Sequence, residues 1–153
     1  MKTFKDNAGR TWQVAMNVTA AKRVRSVLGV DLLQFGSESG KPEDHLFTRL
    51  HTDPCFLVDV LYVVCLTEAE AKGVSDEQFG EAMAGDAIDQ ATQALLEEIV
   101  DFCPSPRDRE RARRVLAQAN TMIDRAQDVL DRRTTPETLE AEMEKALAET
   151  LGD

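Results

Sequence analysis

The chain has 153 residues, 42% hydrophobic and 30% charged, a balance that fits one folded domain with short appendages and leaves no room for a second catalytic domain. Eighteen Lys and Arg against 28 Asp and Glu give a net charge of -10. The long-range field therefore repels phosphate backbones and anionic headgroups, and neither nucleic acid nor a membrane is an expected partner.

Met1 to Asp6 carries no apolar run behind its lysines, so neither a secretory signal nor a transit peptide is expected and the cytosol is the expected location. Trp12, Val14, Met16 and Val18 alternate with Thr11, Gln13, Ala15 and Asn17, the two-residue period of a half-buried strand. Lys2 to Lys5 supplies a partner strand, and Asp6-Asn7-Ala8-Gly9 the turn of a hairpin. Thr19 is placed to cap a helix ending at Leu28, with Gly29 as its left-handed terminator and Ala21, Val24, Val27 and Leu28 on its inner face.

Gly36 to Pro42 (GSESGKP) reads as a loop. It has three residues between its glycines where a phosphate loop needs four, and Pro42 where that loop needs Ser or Thr, so no nucleotide is expected there. A short helix from Asp44 to His51 follows. Asp53-Pro54 then opens an apolar run to Leu66, which at 13 residues is a buried core helix rather than a membrane span of about 20. Ser75 and Gln78 have the capping-box spacing, with Phe79 and Met83 directed inward. Ile88, Ala91, Leu95, Ile99 and Phe102 mark an amphipathic helix from Asp86 to Cys103.

Pro104-Ser105-Pro106 breaks the chain. Beyond it Val115, Leu116, Ala119, Met122, Ile123, Ala126, Val129 and Leu130 define a long helix from Arg107 to Arg133, and Thr135-Pro136 restarts a final, Glu-rich helix carrying Leu139, Met143, Leu147 and Leu151. The expected fold class is thus mainly α (α+β): a small N-terminal β-hairpin, a helical bundle and a long C-terminal helix. Residues 1–104 form the compact hairpin-plus-helices core, and residues 105–153 a C-terminal helical extension.

Chemistry is sparse. Cys55, Cys65 and Cys103 form no CxxC and sit among apolar neighbours, so they are expected as buried small hydrophobes rather than disulfides. His45, His51 and Cys55 lack a fourth metal ligand at a familiar spacing, and no nucleophile elbow accompanies the two histidines. Glu97-Glu98 and the Glu140, Glu142, Glu144 series fall on helix faces expected to be exposed. Asp59 interrupts the apolar run, which calls either for a cation such as Arg49 or Arg23 or for a polar stripe facing water. No catalytic, cofactor-binding or metal residues are assigned, and an enzyme is not expected.

Two features suggest binding instead. Residues 54–104 hold 11 acidic side chains against one basic, which suits either a solvated face or a partner with Lys and Arg on its contacting surface. The long C-terminal helix either folds back on the core or stands off it and offers Val115, Leu116, Met122, Ile123, Val129 and Leu130 to another chain, a homodimer seam included.

The segments FKDNAGRTWQVAMNV, RVRSVLGVDLL, LVDVLYVVCLTEAEAKGVSDEQFGEAMAGDAI and ALLEEIVDFCPSPR resemble the tail assembly chaperones of long-tailed bacteriophages and prophages, over about residues 4 to 107. The resemblance implies a non-enzymatic assembly factor of the host cytoplasm, absent from the mature virion. Such a factor binds the helical tape-measure protein, with the tail-tube protein as a second candidate partner, and keeps apolar surface from aggregating while tube subunits polymerise. The alternative is a structural component that stays in the particle, a tail-completion or head-tail connector protein.

Overall fold

A computed structural model describes residues 2–34 and 45–152. The expected Gly36 to Pro42 loop and the Asp44 helix start lie outside the described residues. The chain divides into two compact units, one up to Ala119 and one from Asn120 on.

The first unit opens with the antiparallel pair β1 (Lys2–Lys5) and β2 (Thr11–Val14), in which Phe4 faces Trp12. The two-residue alternation buries Phe4, Trp12 and Val14 and leaves Thr3, Lys5, Thr11 and Gln13 in water. The turn is organised by Asp6, whose side chain is almost wholly buried. Its Oδ1 accepts the backbone N–H groups of Ala8 (3.0 Å) and Arg10 (2.9 Å), and its Oδ2 accepts the Arg10 guanidinium (3.0 Å) and the Trp12 indole N–H (2.8 Å). The free edge of β2 is also closed. Glu68 Oε1 accepts the Gln13 N–H and Lys72 Nζ donates to the Thr11 carbonyl, leaving less open ladder for another strand to join.

The helices follow as α1 (Val18–Leu28), α2 (Leu46–Thr52), α3 (Pro54–Val64), α4 (Leu66–Lys72), α5 (Asp76–Glu81) and α6 (Asp86–Phe102). α1 and α2 pack on α3, and β1 packs on α6. Phe79 of α5 lies at the aromatic centre, with its ring 5.0 Å from Trp12, 5.5 Å from Tyr62 and 6.4 Å from Phe4. The Trp12 and Phe4 pairs are edge-to-face, the arrangement the ring quadrupole favours.

Several helix ends match their sequence signals. Gly29 ends α1 at φ 68°, and Asp53 caps α3 with Pro54 in its first turn. Both hydrogen bonds of the Ser75/Gln78 capping box are made. Other details correct the sequence reading. α1 is capped by Asn17, not Thr19, because the helix already begins at Val18 and the extended Asn17 before it accepts the Ala20 N–H on its side-chain oxygen at 2.8 Å. Its contact ridge is Ala20, Val24 and Leu28 at four-residue spacing, so Val27 falls beside the ridge and is 61% exposed. α4 was not expected; it follows directly on the Cys65 joint and ends at left-handed Gly73.

Candidate partner-binding surface

α7 (Pro106–Arg133) begins at the Pro-Ser-Pro break, where Ser105 Oγ accepts the Asp108 N–H at 3.1 Å and Arg109 donates to the Cys103 carbonyl at 3.1 Å. Ala112 and Ala119, two turns apart, are buried, and Val115 and Leu116 pack half-buried against the same core. Small side chains at that spacing let a helix backbone approach its neighbours closely. The first half of α7 therefore completes the first unit, which extends past the residue 104 boundary read from the sequence.

The second unit is different in kind. Met122 and Ile123 are half-buried there, and then the apolar positions open to solvent. Val129 is 41% and Leu130 56% exposed. Thr134 Oγ1 donates to the Leu130 carbonyl at the end of α7, and Thr135 caps α8 (Pro136–Leu151) by accepting the Thr138 N–H. On α8 no residue is buried; Leu139, Met143, Leu147 and Leu151 are 42, 65, 58 and 80% exposed. Of eight large apolar side chains exposed among the described residues, six lie between Val129 and Leu151. A concentration of this kind marks a contact surface more often than a free face.

The structure separates the six ridge residues named from sequence. Val115 and Leu116 serve the core, Met122 and Ile123 are intermediate, and Val129 and Leu130 are free to be covered. The α8 row was visible as a four-residue repeat in the sequence but was not assigned to a partner.

Several chemically capable groups in the first unit are held in structural roles. A groove of about 550 Å³ between β2, α1 and α4 is lined by Gln13, Asn17, Arg23, Cys65, Thr67 and Glu68. Arg23 donates to the Val63 carbonyl and Thr67, and Glu68 accepts from Gln13 and pairs with Lys72. Burial, with the nearby Glu68 charge, pushes the Cys65 thiol up to about 12; it is neutral at pH 7 and a poor nucleophile. Burial raises Cys103 as well. Cys55, expected inside, is exposed at the start of α3. The expected consequence is that one thiol of the three reacts promptly with a disulfide reagent in the native protein and all three in denaturant. Prompt native reaction at Cys65 would refute the burial.

Glu98 also departs from expectation. It is buried rather than exposed, because its Oε2 accepts the Met16 N–H at 3.3 Å where the chain leaves the hairpin. Asp59 is exposed, which selects the polar-stripe alternative, while Arg49 lies over the Phe56 ring at 3.9 Å. His45 Nδ1 accepts the Phe47 N–H as the cap of α2. Among the described residues no three His, Cys, Asp or Glu come close enough together to hold a metal ion, and no helix is long and apolar enough to cross a membrane.

No family model, curated protein or solved structure matches this chain.

Proposed function

We propose that the chain is a non-enzymatic tail assembly chaperone. It binds the phage tape-measure protein in the host cytoplasm, with the tail-tube protein as a further partner, and is left out of the finished virion. The observation that carries this reading is the run of exposed apolar side chains from Val129 to Leu151, on a unit in which α8 buries nothing. Exposed amphipathic helix of this kind costs free energy in water and gains it against another helix. The resemblance over residues 4 to 107 supplies the identity of the held chain. Met122, Ile123, Val129 and Leu130 are the proposed contacts on α7, with Val115 and Leu116 anchoring the same helix.

The test is affinity purification of the tagged chain from phage-producing cells, with mass spectrometry of co-purifying proteins and a parallel assay of particles. Recovery of a very long helical protein is expected, with the chain absent from particles. Changing Val129 and Leu130 to Asp is expected to weaken that association about thirtyfold, since two exposed anchors of about 1 kcal/mol each are lost. Presence of the chain in particles would overturn the reading in favour of a tail-completion or head-tail connector protein.

A further inference from the structure

Leu139, Met143, Leu147 and Leu151 form one ridge of four-residue spacing along α8. At 100° per residue, Ala146 and Thr150 widen that ridge, Glu140 and Glu144 border one side of it, and Glu142 lies on the other, with Glu149 farther round toward the far face. Lys145, the helix's only cation, falls on the opposite face. The charges of α8 are thus sorted about its exposed apolar stripe. The second half of α7 shows no such sorting toward one sign, since Asp124, Asp128 and Asp131 balance Arg125, Arg132 and Arg133.

We infer that α8 is the docking face for a basic amphipathic helix of a partner protein. The partner lays its apolar stripe on Leu139, Met143, Leu147 and Leu151, and its Lys and Arg reach the glutamates on either side. Sixteen residues of α8 give a contact about 24 Å long, enough for some four turns of partner. The charge pattern selects this occupant. A second α8 from another copy would bring glutamates against glutamates on both borders, and an anionic bilayer would be repelled in the same way. The inference rests on the reading that this chain holds another protein, and it adds the chemistry of the segment held.

The test uses the full chain and three labelled synthetic peptides of about 18 residues, long enough to cover α8. One carries leucines at three- and four-residue spacing bordered by arginines, one has the same composition rearranged so that no apolar face forms, and one keeps the leucine spacing with glutamate borders. Fluorescence anisotropy is expected to show the arginine-bordered amphipathic peptide binding at least about tenfold more tightly than either control. Met143→Glu with Leu147→Glu should abolish that preference. Glu140→Lys, Glu142→Lys, Glu144→Lys and Glu149→Lys combined should transfer it to the glutamate-bordered peptide, and Lys145→Glu on the far face should leave it unchanged. Circular dichroism checks that the variants keep their helix.

Equal binding of the rearranged peptide would overturn the inference, as would failure of the preference to reverse. So would a dimer, seen by sedimentation, that Met143→Glu with Leu147→Glu dissolves, because the face would then belong to a second copy. The probes are synthetic, so a failure here leaves the co-purification result standing, and a failed co-purification leaves this one standing.

Discussion

Replacing Phe79 by Ala is expected to lower the stability of the first unit by about 4 kcal/mol, the middle of the range for a buried aromatic. The ring is fully buried and touches Phe4, Trp12 and Tyr62, so it joins the hairpin, α3 and α5 at one point. α5 has only six residues, too few to hold a helix by its own hydrogen bonds; its Ser75 cap and the Phe79 anchor keep it in place. Truncation removes the dispersion and transfer terms and leaves a cavity that the two strands cannot close without losing their register. Urea unfolding followed by the fluorescence of Trp12, the single tryptophan, measures the loss directly. Phe79→Leu should recover more than half of it. A cost for Phe79→Ala below about 1 kcal/mol would mean that the aromatic cluster is not the joint described here.

The features that sequence reading recovered are those encoded locally. Strand alternation through Trp12 and Val14, the Asp53-Pro54 start, the Ser75/Gln78 box and the left-handed Gly29 each depend on residues a few positions apart. What it missed depends on partners distant in the chain. Glu98 looks like half of a surface acidic pair until the Met16 N–H, 82 positions away, is brought to it. Cys55 looks like a core residue because its neighbours are apolar, yet it lies at the outer start of α3. Periodicity likewise revealed an apolar ridge on α7 without showing what covers it. Ala112 and Ala119 are buried, but Ala126 at the same seven-residue spacing is exposed, so the small-residue repeat does not mark where the cover ends. The α8 surface is legible in part, as a Glu-rich helix carrying Leu139, Met143, Leu147 and Leu151, but only the burial pattern shows that the helix leaves that row uncovered.

Asp6→Asn should cost about 2 to 3 kcal/mol at neutral pH, the range for charge-assisted hydrogen bonds lost from a buried acceptor. Four donors converge on the carboxylate, two at each oxygen. An Asn can keep the pair of backbone N–H groups on its single carbonyl oxygen, but it turns an NH2 toward the Trp12 indole and the Arg10 guanidinium, both donors. The damage also spreads beyond the turn, since the Asn7 N–H and side chain donate to the Ala82 and Ala84 carbonyls and so fix the turn to the segment between α5 and α6. Burial by itself would raise the Asp6 carboxyl, but the hydrogen bonds from Trp12 and Arg10, with the Arg10 charge, outweigh it and hold the group below its ordinary 3.8. The folded state therefore binds the Asp6 proton less readily than the unfolded chain. Its stabilisation is fully present above the unfolded value and is lost as pH falls through the lower folded value. Wild type and Asp6→Asn should accordingly differ most above about pH 5 and converge as the pH drops below that ordinary value. Urea midpoints measured across that range test it, and parallel profiles with no convergence would show that Asp6 is not the ionised acceptor on which the hairpin is built.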